Sequence, residues 1–180
     1  MSVIAVYPGT FDPPTNGHQE LIFRASMLFD KLYIMIGENP KKPNRLLSIE
    51  ECIAYFNDLI GETGYNAEVV AYEGATVDFC RSVNAACVVR GFRSVMDFEY
   101  ERTIADVNSK LHLALQTVFI NLPGQTDVSS SVVRELYNLN KMQEIGHFTS
   151  QVMMEILMKK KGWLYDDTEG WHSSHYKEMT

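Results

Sequence analysis

The sequence predicts a doubly wound α/β domain, a five-stranded parallel sheet with helices on both faces, and three observations carry that prediction. Short apolar runs alternate with longer amphipathic segments from the first residues to about Lys160. The short runs are continuously apolar, as strands covered on both faces are, rather than alternating. No internal repeat or linker interrupts them, so residues 1–161 read as one domain. Right-handed crossovers follow from chain chirality.

Val3 to Tyr7 is the first strand, and behind it Leu21, Ile22, Ala25, Leu28 and Phe29 recur at helical spacing. Leu32 to Ile36 is the second strand. Ser48-Ile49-Glu50-Glu51 is a capping box, opening a helix with Ile49, Cys52, Ile53, Phe56 and Ile60 on one face. Glu68 to Tyr72 is the third strand, followed by a short helix around Val77 to Val83. Cys87 to Arg90 is the fourth, and a longer helix runs from about Asp97 to Leu113. Thr117 to Leu122 is the fifth, followed by helices near Val132 to Leu139 and Ser150 to Lys160. Residues 162–180, GWLYDDTEGWHSSHYKEMT, lack periodicity and read as a polar tail with aromatic anchors. His172 and His175 are spaced like metal ligands, but with no third ligand in sight they read as a solvated pair.

The net charge of −7 excludes a general binder of nucleic acid or anionic membrane. No run approaches the ~18 apolar residues of a membrane span. MSVIAVYPG lacks the basic start and apolar length of a signal peptide. Cys52, Cys80 and Cys87 form no CxxC pair and sit in apolar periodic segments. They are expected as buried free thiols, in a reducing cytoplasm.

In open α/β sheets, ligands bind beyond the carboxyl ends of the strands. Those ends carry Gly9-Thr10-Phe11, Lys41-Lys42, Gly74 with Thr76, Arg90-Gly91-Phe92-Arg93, and Gly124 to Ser131. Cations gathered at one sheet edge of an acidic chain describe an anion site, suited to several phosphates. The serines ahead of Val132 place hydroxyls at a helix N-terminus, where only one is needed as a cap.

YPGTFDPPTNGH, Tyr7 to His18, builds a rigid bend between the first strand and the first helix. Gly9 and Gly17 allow tight turns, and Asn16 is the expected N-cap, with Gln19 in capping-box register. His18 then falls in the first helical turn, where the dipole disfavours its imidazolium form. A neutral imidazole there still has one N–H to donate to a phosphate oxygen. There is no GxxxxGK[ST], no GxGxxG after the first strand, and no Ser-His-Asp or Cys-His arrangement.

Thr15-Asn16-Gly17-His18 has the (T/H)xGH form found in the nucleotidyltransferase superfamily. RGFRSVMDFEYE, Arg90 to Glu101, and Ser129 to Ser131 follow in family order. With these motifs, over about residues 3–160, the chain resembles the bacterial phosphopantetheine adenylyltransferases. That family transfers AMP from ATP to 4′-phosphopantetheine in coenzyme A biosynthesis. The resemblance implies a Rossmann-like fold of the adenine nucleotide α-hydrolase-like, nucleotidyltransferase kind. It implies that Thr10 and His18 flank the transferring α-phosphate, His18 stabilising the transition state, and that Phe11 lies by the nucleotide. Lys42 and Arg90 would hold the acceptor phosphate, beside Thr10, and Thr76 would meet the pantetheine arm. ATP would contact Gly91, Phe92, Arg93, Glu101, and the loop Gln125, Thr126, Asp127, Val128, Ser129, Ser130 and Ser131. Also implied are Mg²⁺ carried with ATP, without a dedicated carboxylate cage, a hexamer, and feedback by coenzyme A.

The chain departs from the family pattern in three places. The spacing after NPKKP looks shifted, so Lys41 could take the role given to Lys42. Ser109 stands where family members often place an arginine, and Asp127-Val128 where an aromatic and an aliphatic residue are usual. Two alternatives stay open. One is another transferase of the superfamily, acting on nicotinamide mononucleotide or on glycerol phosphate. The other is a non-catalytic ATP-binding module, which has no use for a second anion site.

Overall fold

The computed structural model describes residues 2–38, 45–124, 128–166 and 170–173. Five parallel strands form one sheet: β1 (Ile4–Gly9), β2 (Lys31–Gly37), β3 (Ala67–Tyr72), β4 (Cys87–Phe92) and β5 (Gln116–Asn121). Their order is β3-β2-β1-β4-β5. The chain winds outward from β1 to β3, then crosses back to β4, so the order reverses between β1 and β4. That switch point is where an open α/β sheet leaves a crevice for a ligand. The two strands pair through Ala5–Cys87 and Val6–Val88, and the crevice opens beyond those pairs.

The helices are α1 (Asn16–Leu28), α2 (Ile49–Thr63), α3 (Thr76–Ser82), α4 (Val95–Leu111), α5 (Ser130–Asn138), α6 (Met142–Ile145) and α7 (Gln151–Lys160). Alternation along each strand divides the core into two layers. Ala5, Tyr7, Leu32, Ile34, Ile36, Cys87 and Val89 pack with α1, α2, α5 and α7. Val6, Met35 and Val88 face the other way, onto Val77, Phe79 and Cys80 of α3. The three cysteines are buried free thiols, as expected.

The capping box at Ser48 forms as read. Its hydroxyl accepts the Glu51 N–H at 3.1 Å, and Glu51 Oε2 accepts the Ser48 N–H at 2.7 Å. The start of α1 corrects the expectation for Asn16. Thr15, in an extended conformation, is the N-cap, and the third helical position is taken by His18 rather than Gln19. Asn16 is already helical and sends its N–H to the Phe148 carbonyl at 2.9 Å. The described residues of this last segment also hold more order than an aperiodic tail. Trp163–Asp166 (β6) and Gly170–Ser173 (β7) pair as an antiparallel hairpin, and Trp163 and Trp171 pack against the larger core layer. The rings of Tyr165 and Trp171 meet as cross-strand partners, 5.4 Å between centroids and tilted by 60°. His175 lies outside the described residues.

Phe11 takes φ of 46°, which tucks its ring into the core against Tyr7 and Phe56. A Cβ added at Gly9 would meet that ring at 2.7 Å. The ring is rigid and only 1% exposed, so it cannot give way without displacing its neighbours. Gly9→Ala is therefore expected to cost about 1–3 kcal/mol, by overpacking. Differential scanning calorimetry should show Tm lowered by roughly 3–10 °C. An unchanged Tm would contradict this close approach.

Candidate active site

A cleft of about 540 Å³ opens at the carboxyl ends of β1 and β4. Thr10, His18, Thr76, Arg90, Gly91, Arg93, Glu101, Val128, Ser129 and Ser130 line it, so residues far apart in the chain meet there. Phe11 also borders it, but from beneath. Its ring meets the His18 ring edge-on, at 5.1 Å, and the Phe11 side chain acts as a floor. Phe92 is not among the lining residues; it packs with Phe98, which also touches Phe119. Lys41, Lys42, Gln125, Thr126 and Asp127 lie outside the described residues.

His18 is held by its own helix end. The Thr15 N–H donates to Nδ1 at 2.9 Å, and Thr15 Oγ1 lies 3.0 Å from the same atom. A ring nitrogen that accepts a backbone N–H carries no proton, so the neutral ring bears its proton on Nε2. Burial, then the charges of Arg93 and Arg90, push the pKa down to about 4. The helix dipole invoked from sequence acts in the same direction. His18 is thus a neutral donor aimed at a cationic cleft.

Arg90 rises from β4 and is bound on three sides. Its Nη1 donates to the Pro8 carbonyl at 2.9 Å, and its Nε and Nη2 grip the two Glu101 oxygens at 2.5 and 2.8 Å. Burial works against this charge, but the Glu101 hydrogen bonds and charge outweigh it and push the Arg90 pKa up. Arg93 is held in the same manner, by Asp97 at 2.9 Å and by the Val128 carbonyl. Tyr7, beneath both arginines, has its hydroxyl pKa raised by burial.

The three serines divide their work. Ser129 caps α5, accepting the Val132 N–H at 3.2 Å. Ser130 Oγ donates to the Pro13 carbonyl at 2.8 Å, and Ser131 Oγ accepts from Arg134 at 3.0 Å. The first N–H groups of α5 have no carbonyl within the helix to bond, which suits an anion. Thr76, the first residue of α3, closes the opposite wall beside Gly74.

Three residues that sequence reasoning passed over hold this arrangement. Asp12, 7% exposed, accepts the Leu46 and Leu47 N–H groups at 3.1 and 2.9 Å. Arg45 donates to the Thr10 carbonyl at 2.7 Å. Arg134 donates to the Asp12 carbonyl. A charged residue inside an apolar, proline-rich bend was the one available signal, and it pointed to Asp12 alone. Cys52 donates its S–H to the Phe11 carbonyl at 3.2 Å, and burial lifts its pKa to about 11, which suits a structural thiol rather than a nucleophile. Among the described residues, no three His, Cys, Asp or Glu side chains gather as a metal cluster.

Residues 6–136 match the cytidylyltransferase-like family. A phosphopantetheine adenylyltransferase of Leuconostoc citreum is 37% identical over 157 residues, covering 87% of this chain and 98% of that protein. One of Thioalkalivibrio sulfidiphilus is 37% identical over 163 residues, covering 90% and 100%. The chain belongs to this family, in its phosphopantetheine adenylyltransferase branch. The fold is shared more widely. A Plasmodium falciparum nicotinic acid mononucleotide adenylyltransferase, complexed with NaAD, superposes with a TM-score of 0.67 at 16% identity, over 88% of this chain and 96% of that one. A putative nicotinate-nucleotide adenylyltransferase of Vibrio parahaemolyticus gives 0.60 at 17%, over 88% and 99%.

The folded pKa of His18 lies below its ordinary value of 6.5, so the neutral ring's contribution to stability is complete above that pH. It is lost as pH falls toward about 4. Imidazole NMR should show the Nε2–H tautomer through neutral pH and a titration midpoint near 4. A midpoint near 6.5 would contradict the environment described.

Proposed function

We propose that the cleft transfers the adenylyl group of ATP to 4′-phosphopantetheine, yielding dephospho-coenzyme A and pyrophosphate in one displacement. One observation carries the reading. The free nitrogen of a neutral His18 and two pre-aimed guanidinium groups share the crevice at the sheet's switch point. The relatives at 37% identity are phosphopantetheine adenylyltransferases, which favours that acceptor over a mononucleotide. A bare ATP-binding module leaves Arg90 without a task.

The acceptor phosphate is already an anionic nucleophile, so no enzyme nucleophile is required. Its oxygen attacks the α-phosphorus as the bond from that phosphorus to the β-bridging oxygen breaks, and pyrophosphate leaves with the electron pair. The chain's work is to hold two polyanions in line and to meet the charge that builds on the α-phosphate. Arg90 and, in this proposal, Lys42 fix the acceptor, while Thr76 borders its pantetheine arm. Arg93, the α5 N-terminus and the loop 125–131 hold ATP. Thr10 and the Nε2–H of His18 approach the reacting phosphate from two sides of the bend.

Mg²⁺ enters this proposal on the triphosphate, where it supplies countercharge when bound. Glu101 is the one carboxylate among the described lining residues, and Arg90 engages both of its oxygens. The other polar side chains of the described lining are hydroxyls, two arginines and His18, whose Nδ1 already accepts the Thr15 N–H, which suits a metal held by substrate oxygens and water.

A homo-oligomer, a hexamer by family resemblance, belongs to the same proposal. Helix α4 buries none of its residues, and it exposes Met96, Tyr100, Val107 and Leu111. Coenzyme A, which carries the product's adenylyl and pantetheine groups, is the proposed feedback ligand. Residues 1–161 are taken as the catalytic domain, with the later segment an appendage on it. No helix among the described residues is long and apolar enough to cross a membrane. A cytoplasmic setting is part of the proposal.

Coupled detection of pyrophosphate from MgATP tests the reading, with 4′-phosphopantetheine and nicotinamide mononucleotide as rival acceptors. Release with phosphopantetheine alone is expected. Release with the mononucleotide alone would overturn the acceptor assignment. In the same assay His18→Ala should lower kcat by about 10²–10³, the worth of one transition-state donor. Its ATP affinity should change less than about threefold, because uniform binding is untouched. An equal loss of both would contradict a transition-state role.

A further inference from the structure

The segment that enters α2 grips the bend between β1 and α1 at three successive residues. Leu46 and Leu47 send their N–H groups to the Asp12 carboxylate, and the Cys52 S–H reaches the Phe11 carbonyl. Arg45 takes the first of the three, its Nη2 donating to the Thr10 carbonyl at 2.7 Å. The guanidinium is itself fixed, by an Nε bond to the Leu47 carbonyl at 3.0 Å and by Nη2 against Cys52 Sγ at 3.5 Å. No carboxylate among the described residues forms an ion pair with it. Its hydrogen bonds go to neutral carbonyls instead, and one of those belongs to the wall of the cleft.

Thr10 and Phe11 line the cleft, whereas Arg45 does not. The Thr10–Phe11 peptide is trans, so the Phe11 N–H points away from the carbonyl that Arg45 holds. Among the described residues that N–H finds no acceptor. Buried backbone N–H groups are nearly always paired, so an open one at the wall of an anion cleft is a place for a ligand oxygen. A cation on the carbonyl draws electron density through the amide and strengthens the N–H at its far side, as bonds in a hydrogen-bonded chain reinforce one another.

Resting on the proposed adenylyl transfer, we propose that Arg45 is a positioning residue, which acts on the reaction from outside the cleft through the Thr10–Phe11 peptide. It fixes the plane of that peptide, and with it the approach of the Thr10 side chain and the Phe11 N–H to the reacting phosphate. It also polarises the peptide toward the charge that builds there. That charge is greatest in the transition state, so the effect falls on kcat more than on KM.

The experiment measures kcat, both KM values and Tm for the wild type, Arg45→Lys and Arg45→Ala. Arg45→Ala should lower kcat by about tenfold, less than the loss of a direct donor, with each KM within about threefold. Arg45→Lys, which keeps the charge on a single ammonium, should fall between the two. Millimolar guanidinium should restore part of the Arg45→Ala rate, and sodium chloride at equal ionic strength should not. Nitrogen-15 spectra of the deuterated wild type should show the Phe11 amide proton moving downfield on MgATP, and moving less in Arg45→Lys. These spectra and the Arg45→Lys kinetics decide the matter where Arg45→Ala folds poorly. A lowered Tm with kcat unchanged would overturn the assignment, since it describes a structural tie alone. So would a rise in KM without a fall in kcat, or a Phe11 amide that MgATP leaves in place. Wild-type protein that binds MgATP but does not use phosphopantetheine would instead refute the acceptor reading. In that case a Phe11 amide shift that is smaller in Arg45→Lys still supports the role of Arg45.

Discussion

The buried carboxylate of Asp12 holds the bend on which the rest of the site is built. It sits inside an apolar turn, and its two bonds to the Leu46 and Leu47 N–H groups tie that turn to the entry of α2. A buried carboxylate without such partners costs several kcal/mol, so these bonds and the bend stand or fall together. Arg45 adds a bond to the Thr10 carbonyl, and Ser130 and Arg134 reach the Pro13 and Asp12 carbonyls from α5. The starts of α1, α2 and α5 are thereby arranged around one turn. Phe11, with its positive φ, lays a ring beneath His18 as that turn closes.

From this arrangement the electrostatics follow. A chain with net charge −7 gathers Arg90 and Arg93 at one crevice and places a histidine in the same crevice, within reach of both charges. Left to titrate normally, that histidine would add a third charge at mildly acid pH. Desolvation and the two guanidinium groups keep it neutral, and the Thr15 N–H selects which nitrogen bears the proton. The arginines in turn are held by carboxylates, so charge is spread over a network before any substrate arrives. Such preorganisation favours a transition state in which charge moves between phosphates, because little has to rearrange as it moves.

Much of this was legible in the sequence, for local reasons. Each strand was a continuous apolar run, and each is found within two residues of its expected ends. The capping box at Ser48 and the serine cap at α5 depend on neighbours three residues away. The site residues were placed by the rule that ligands collect at strand ends and by the family resemblance, and the described ones line the cleft except Phe92, whose ring turns to Phe98, and Ser131, whose hydroxyl accepts from Arg134. Non-local partners were not legible. Asp12 with Leu46, and Arg134 with Asp12, lie 34 and 122 positions apart, and no period connects them. The cap of α1 was misassigned by one residue because Thr15 and Asn16 are both good caps, and only the fold shows His18 returning to Thr15. The hairpin at β6 and β7 escaped notice because strands of four residues are too short for periodicity to register.

Among the described residues, the His18 Nδ1 lone pair is engaged by the Thr15 N–H, and the acceptor phosphate is itself an anionic nucleophile, so the account needs none from the protein. The central claim is therefore a single displacement at phosphorus. The most direct test is the stereochemical course of the reaction, with ATP made chiral at the α-phosphorus by sulfur substitution and 4′-phosphopantetheine as acceptor. Inversion in the dephospho-coenzyme A product is the expected result. Retention would mean two displacements through an adenylylated side chain, and would contradict the account.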